Sequence, residues 1–252
     1  MAGPDSALRR LTRDAGKLLQ PYGFHGSQAM WVRVAPGGAA SVCRTRTLRT
    51  WTGGHQELKF GLNLSATPTA WWEFCNWRNA QLGLPLMPLE QATGPGLIND
   101  HGMPDDLTEL WSLQVDPTQP GRALQTDVDA IRAELPRRVH AYARRALRLL
   151  EPGRYLDELL TLPDPQIGTW EAIVVLLADR GPGPQLEDAF IQLRACFAGR
   201  DTSAYAENVI AYARGRAALA RAGTGTNSRP APTVGGLPSG RATHGYFTAA
   251  NH

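Results

Sequence analysis

The first half of the chain changes from helical to alternating apolar spacing. Leucine and alanine recur every three or four positions over residues 8–19, which predicts a short amphipathic helix. Apolar and polar residues alternate over 30–34, and Pro36-Gly37-Gly38 follows, so a hairpin is expected there. The threonine-rich residues 41–51 and the alternating residues 58–64 flank a Gly-Gly turn. The pattern therefore predicts three antiparallel strands.

The middle of the chain combines a tryptophan-rich helix with a further strand. Thr67-Pro68 fits the start of a helix, and the aromatic residues that follow predict that this helix packs on the sheet. Residues 83–104 are rich in proline and glycine and are expected to form an ordered excursion without regular structure. Residues 110–115 alternate again and stop at Asp116-Pro117, which predicts a fourth strand.

The second half of the chain is helical in pattern. Five helices are predicted, over residues 127–150, 154–162, 169–180, 185–198 and 202–221, and Pro136 is expected to kink or split the first. The sequence thus predicts an α+β fold, in which an antiparallel sheet of about four strands packs with helices. We divide it into an α+β domain (1–122), a helical subdomain (123–222) and a disordered tail (223–252), because the tail has few apolar groups to offset its ordering entropy.

The predicted N-terminal elements resemble a known family. The helix, Tyr22-Gly23-Phe24, the hairpin through residues 30–34, and the strand Leu58-Lys-Phe-Gly-Leu-Asn-Leu64 are similar to an uncharacterised bacterial family, domain of unknown function 4304. The fourth strand fits as well, so the resemblance covers residues 8–150. It implies an α+β domain and no established activity, and it assigns no functional residue.

Composition and charge narrow the class of protein. The chain has 252 residues, 42% of them hydrophobic, and three cysteines too far apart for a CxxC metal site or a disulfide framework, so a globular protein of a reducing compartment is expected. Residues 1–60 hold nine basic and three acidic side chains, whereas residues 61–120 hold one and seven. We expect these opposite charges to neutralise one another within one folded unit.

Two features of the helical and tryptophan-rich segments indicate a binding surface. On the helix after Pro136, the partner-binding candidates Arg137, Arg144, Arg145 and Arg148 fall with Arg138 within an arc of about 120°, opposite an apolar face. Such a stripe can contact carboxylates or phosphates, or it can be an ordinary solvated face. Trp71 and Trp72 are about 100° apart on their helix, so both cannot point into one core. Trp72 is therefore the predicted exposed anchor.

Two weaker clusters suggest ligand chemistry. Arg44 and Arg46 share a strand face and, with His55, form a possible anion-binding site, although Val42 has the same parity and leaves the buried face undecided. The loop 99–106 carries Asp100, His101 and two further carboxylates, but its spacing matches no known cation loop, so no metal site is predicted. Because no nucleophile, phosphate-binding or dinucleotide motif occurs, no cofactor is predicted either.

The sequence favours a cytoplasmic, non-catalytic protein-interaction module with a protein partner and no membrane association. An enzyme acting on a phosphorylated or nucleic-acid substrate is the alternative, with the two arginines holding the anion and His55, Asp100 or His101 near the chemistry. A nucleic-acid binder without catalysis is the third possibility, and its affinity would fall steeply with salt.

Overall fold

Helices and strands alternate in the first half of the chain, and helices alone make up the second. The computed structural model describes residues 3–52, 55–98, 100, 102–119, 121–198 and 203–225. Its helices are α1 (Pro4–Leu19), α2 (Thr69–Gln81), α3 (Asp105–Thr108), α4 (Gln125–Arg148), α5 (Arg154–Leu159), α6 (Ile167–Ala178), α7 (Pro184–Phe197) and α8 (Ser203–Gly225). Its strands are β1 (His25–Ser27), β2 (Met30–Ala35), β3 (Gly38–Arg44), β4 (Leu48–Thr52), β5 (His55–Phe60), β6 (Leu62–Pro68) and β7 (Trp111–Gln114). The predicted α+β fold is confirmed.

The strands form two antiparallel sheets that share one long pair of strands. The first sheet has the order β1-β2-β3-β6, and the second has the order β4-β5-β7. Because β3 continues into β4 and β5 continues into β6, the same two stretches of chain pair along their whole length and belong to both sheets. The predicted hairpin at Pro36-Gly37 is confirmed, since Ala35 pairs with Gly38 across it.

A bulge divides this long strand pair, which we call the ribbon, into two halves: β3 with β6, and β4 with β5. Arg44 pairs with Leu62 and Leu48 pairs with Lys59, so three residues on one strand face two on the other. Thr45 fastens the bend: its N–H donates to the Gly61 carbonyl at 3.0 Å, and its hydroxyl accepts from the Gly61 N–H at 2.8 Å. The predictions of unbroken strands over 41–51 and 58–64 are wrong. The sequence does not reveal the interruption, because a bulge leaves the average alternation of apolar and polar residues nearly intact.

The core lies between the concave sides of the sheets and the helices α1 and α4. Val42 and Leu64 face each other in the first sheet, and Leu58 and Leu113 in the second, with at most 1% of each residue exposed. Helix α1 packs on α4, which in turn contacts β3, β6 and β7. One continuous cluster of buried apolar residues then runs from α1 to α8, so α4 belongs to the sheet's core as well as to the helical layer.

Helix α2 packs on the sheet, as its aromatic content predicts, and it also contacts the C-terminal helices. It packs on β6 and β3 on one side, and on α6 on the other. Phe74 is completely buried, with its ring 5.2 Å from that of Tyr212 on α8, and Trp77 lies 4.8 Å from the same tyrosine ring. These tilted aromatic pairs hold α8 against the sheet-bound part of the molecule.

The excursion after α2 is ordered by side-chain contacts to its backbone. Asn76 both accepts from the Met87 N–H at 2.7 Å and donates to the Met87 carbonyl at 3.0 Å. Further along, the Thr67 hydroxyl donates to the Ala92 carbonyl, and the Ser65 hydroxyl accepts from the Gly94 N–H. The excursion therefore packs against the first sheet, where it contacts β6 through these hydroxyls and β2 and β3 through its short turn at Leu89–Gln91.

The five predicted C-terminal helices are present. Helix α4 is a single α-helix with Pro136 inside it, so a split at this proline is wrong. Helix α8 continues to Gly225, three residues into the segment predicted as a tail; the remainder of that segment, residues 226–252, lies outside the described residues. No helix among the described residues has both the length and the apolar character to cross a membrane.

The turn between β2 and β3 offers a test of this packing. A Cβ atom on Gly37 would lie 1.9 Å from the backbone carbonyl oxygen of Leu150, which follows α4, so we expect Gly37→Ala to lower the free energy of unfolding by about 1–3 kcal/mol. Gly215→Ala on α8 is the matched control, because no atom lies within 4 Å of its added Cβ and alanine favours the helix by up to about 1 kcal/mol. Urea unfolding of both variants measures the difference. Equal stability of the two variants would contradict the close contact.

Candidate functional site

The predicted arginine stripe on α4 is divided by the packing of its neighbours. Arg137 is exposed and forms an ion pair and a short hydrogen bond with Asp106 of α3. Arg138 is buried: it donates to the Glu109 carbonyl, pairs with Glu134 at 2.8 Å, and its guanidinium lies 4.7 Å from the centroid of the Trp111 ring. Because β7 packs against this side of α4, the buried arc of the helix extends to Arg138 and interrupts the stripe.

The other arginines of the stripe also differ from one another in exposure and in their ion pairs. Arg145 is largely buried and forms a bidentate pair with Glu158 of α5, with the Nη1–Oε1 distance at 2.6 Å. Arg144 and Arg148 are exposed and form no ion pair with a described residue. The stripe is therefore not one continuous free surface, since Arg137 and Arg145 contact neighbouring helices, and the partner-binding role of these arginines stays a prediction.

The predicted exposed anchor Trp72 is also a structural residue. It is half-buried, and its indole Nε1–H donates to the Met87 carbonyl at 2.7 Å. Trp71 faces the core, while Trp72 at the next position of α2 holds the excursion through its hydrogen bond to Met87. The reasoning that one of the pair must leave the core is correct, but the excursion rather than solvent receives it.

The structure does not place the two arginines of the possible anion-binding site together on one strand face. Val42 is completely buried, so the even-numbered face of β3 points into the core and the guanidinium of Arg44 turns back to the Thr45 carbonyl and the Thr47 hydroxyl. Arg46 is exposed but lies in the bulge between β3 and β4 rather than on a strand face. The His55 side chain lies outside the described part of the structure.

The acidic loop shows no clustered ligand set in the part that is described. Asp100 is half-buried, and burial of the Tyr142 phenol on α4, together with the charge of Asp100, raises the pKa of Tyr142 to about 12. Asn99 and His101 lie outside the described residues. Among the residues that are described, no group of three histidine, cysteine, aspartate or glutamate side chains could hold a metal ion.

The basic side chains of residues 1–60 do not form ion pairs with the acidic side chains of residues 61–120 in the described part of the chain. All three carboxylates of residues 1–60 pair inside that segment: Asp5 with Arg49, Asp14 with Lys17, and Glu57 with Lys59. In the described part of the chain, no ion pair joins residues 1–60 to residues 61–120. The expected mutual neutralisation is therefore not seen, and six positive charges remain on the N-terminal part.

These charges gather on the outer face of α1. Four basic residues lie within an arc of about 100° on this helix. They are exposed, and they are Arg9, Arg10, Arg13 and Lys17. The opposite face is buried against α4, which fixes the basic face toward solvent. We call it the α1 basic face; the strong contrast between its two sides follows from leucine and alanine at helical spacing.

Strand β4 adds an open sheet edge next to the α1 basic face. It is the terminal strand of the second sheet, and no backbone group among the described residues pairs with its outer side. Trp51 is 73% exposed and Leu48 is 48% exposed, on opposite faces of this strand. Arg49 pairs with Asp5 at 2.9 Å, and Asp5 lies one helical turn before Arg9, so the edge and the α1 basic face form one continuous surface.

Sequence reasoning missed this edge because nothing in the pattern marks it. Alternation of residues 48–52 predicts a strand, but the number of its neighbours depends on which distant segment pairs with it. Strand β7 lies more than fifty residues further along the chain and pairs with β5 rather than with β4. The one available signal is Trp51 itself, which is flanked by threonines at the end of a strand.

A buried carboxylate is the other group that sequence reasoning missed. Glu171 of α6 is 8% exposed, accepts a short hydrogen bond from the Tyr205 hydroxyl, and lies 3.6 Å from Nη1 of Arg78. Burial raises the pKa of Glu171, while Tyr205 and Arg78 partly oppose that rise. Since its partners come from α2 and α8, this carboxylate connects three helices and lines none of the larger cavities.

Comparison with known proteins finds no relative. No family model matches the chain, and neither the curated proteins nor the solved structures give a match. The resemblance of residues 8–150 to the domain of unknown function 4304 family therefore stays a prediction. Any functional conclusion for this chain depends on its own geometry.

The pKa shift of Glu171 predicts a pH dependence of stability. Because the folded-state pKa is raised, the folded protein holds this proton more strongly than the unfolded chain, so the contribution of Glu171 is greatest below its ordinary pKa and is lost as pH rises through the folded-state pKa. Urea unfolding is measured between pH 4 and pH 8, a range that starts at about the ordinary pKa of glutamate. As the pH rises, the free energy of unfolding of the wild type should fall relative to that of Glu171→Gln.

Glu207 provides a control of opposite sign. It is exposed, and its hydrogen bond from Arg194 lowers its pKa. Relative to Glu207→Gln, wild-type stability should therefore rise with pH through the acidic range and then stay level. Parallel curves for wild type and Glu171→Gln would contradict the raised pKa of Glu171.

Proposed function

We propose that this protein is a non-catalytic interaction module that binds an extended acidic segment of a protein partner along β4. The single observation that carries the proposal is the open edge of β4, with Trp51 and Leu48 exposed on its two faces. An added strand would complete the backbone hydrogen bonds of the edge, and its alternate side chains would contact these two residues.

The edge has little of the protection that is usual for a terminal strand. Folded proteins shield such edges with proline, a bulge, a charged side chain or a covering loop. Strand β4 has the bulge only at its start and Arg49 as its one charged side chain, and its sequence Leu-Arg-Thr-Trp-Thr favours an extended conformation. Exposed tryptophan is also the residue type most enriched at energetically important contact positions.

The charge around the edge favours an acidic partner. Arg46 and Arg49 are exposed beside β4, and the α1 basic face continues the positive surface beyond Asp5. Acidic side chains in the added strand, or just after it, would pair with these guanidiniums, which form bidentate contacts with carboxylates. Such complementarity increases the rate of encounter and fixes the direction of the bound strand.

The test compares partner binding by variants of the edge and of the divided stripe. Proteins from the source cells are captured on wild type, on Leu48→Ser/Trp51→Ser, and on Arg144→Glu/Arg148→Glu, with nuclease added. We expect recovery of a defined partner to fall at least about tenfold with the edge variant, because removing a central aromatic anchor costs about 2 kcal/mol or more. The arginine variant should recover the partner as wild type does.

Hydrogen exchange on the purified complex provides the decisive measurement. Backbone amides on the outer side of β4 should become protected when the partner binds, because an added strand accepts their hydrogen bonds. Recovery that is unaffected by the edge variant, or protection elsewhere without protection of β4, would contradict the proposal. Binding that disappears with nuclease and falls steeply with salt would instead indicate a nucleic acid.

A further inference from the structure

An apolar groove lies between α6 and α7, beside the end of α5. Its volume is about 390 Å³, and its apolar lining consists of Leu160, Trp170, Ile173, Leu177, Ala189 and Ile191. After residue 123, three large apolar side chains in the described part of the chain are exposed, and two of them, Leu160 and Ile191, line this groove. The groove is therefore a local apolar surface that no described segment covers.

Helix α8 packs on the opposite side of α7 from the groove. It contacts α7 through two ion pairs and a cation–π contact, at Glu187, Arg194 and Phe190. The groove is lined from α7 by Gln185, Asp188 and Gln192, each of which lies two positions before one of those three residues. Two positions correspond to about 200° around a helix, so α8 leaves the groove open.

The C-terminal end of α8 lies at the turn between α6 and α7. Leu219 of α8 lines one cavity together with residues 181–183 of this turn. Leu177 and Gln185, which flank the same turn, line the groove. The chain therefore leaves α8 close to one end of the groove, and the residues that follow, 226–252, lie outside the described part of the structure.

The length of this C-terminal segment is sufficient to reach the groove. Tyr246 follows Gly225 by 21 residues, and an extended chain of that length spans up to about 70 Å. Helix α7 has 14 residues and is only about 21 Å long. A tether of this kind gives the segment at its end an effective concentration of order mM at the groove, so even a weak apolar contact would be populated.

The segment and the groove also match in polarity and charge. Tyr246 and Phe247 are adjacent and are the only aromatic residues of 226–252, a segment that has two arginines, two histidines and no aspartate or glutamate. The only charged residue that lines the groove is Asp188. It is exposed and forms no ion pair with a described residue. A basic segment with two aromatic rings therefore complements an apolar groove that has one free carboxylate.

We propose that residues 241–247 of the chain's own C-terminal segment dock in this groove, where Tyr246 and Phe247 contact the apolar lining and Arg241 pairs with Asp188. Docking removes the two rings, and the exposed part of Ile191, from water. The tether favours this segment over a second copy of the protein, which would have to reach mM concentration to compete. No residue of β4 lines the groove, so this docking is independent of the proposed binding along β4.

The methyl signal of Ile191 gives a direct test in the full chain. In protein labelled at the δ1 methyl groups of isoleucine, the Ile191 signal is assigned by its loss in Ile191→Val. We expect NOEs between this methyl group and the ring protons of Tyr246 and Phe247. Tyr246→Ser/Phe247→Ser should remove these NOEs and shift the Ile191 signal, because the rings no longer lie beside the methyl group. The signal of Ile131, which is buried on α4, should not move.

Two further variants complete the experiment. Val234→Ser/Leu237→Ser removes the other two large apolar groups of the segment and is the matched control, which should leave the Ile191 signal unchanged. Asp188→Lys should weaken the NOEs to both rings, because a lysine would repel Arg241. The proposal is overturned if the Ile191 signal does not respond to loss of the two rings, or responds equally to the control, or if Asp188→Lys leaves the NOEs unchanged. A wild-type signal that moves with protein concentration would show docking of a second copy and would overturn it as well.

Discussion

The two sheets depend on one bend, where Thr45 is fastened to Gly61 by two hydrogen bonds. Before the bend, the ribbon has β2 beside it; after the bend, it has β7 on the other side. Strand β2 is six residues long and its last pairing reaches only Cys43, so the ribbon beyond the bulge has no neighbour on that side. The bulge and the length of β2 together create the open edge of β4.

The same arrangement explains why positive charge collects at one end of the molecule. Helix α1 buries its apolar side on α4 and turns Arg9, Arg10, Arg13 and Lys17 outward, while the bend brings Arg49 to Asp5 at the start of that helix. The acidic residues that follow in sequence pair with arginines of the helical half instead, as Glu73 does with Arg216 and Asp106 with Arg137. Charges that are close in sequence are thus separated by the fold.

Local patterns determined much of the secondary structure. The amphipathic α1, the Pro36-Gly37 hairpin, the aromatic α2 and the series of C-terminal helices follow from residue spacing and from turn residues, which act over a few positions. The candidate sites were less predictable, because partner binding depends on exposure. Arg138 and Arg145 have the helical position of surface residues, but β7 and α5 cover them.

By itself, the sequence determined where the helices and the alternating segments lie, that the strands pair antiparallel, and that the first sixty residues carry an excess of positive charge. Only the tertiary structure decided which strand lacks a neighbour, which tryptophan is exposed, and which arginines of α4 are buried. The physical reason is that propensity and periodicity are local properties of the chain, whereas burial and hydrogen-bond satisfaction depend on segments far apart in sequence. Trp51 and Trp72 are the same residue type, and their neighbours alone distinguish an exposed side chain from a structural contact.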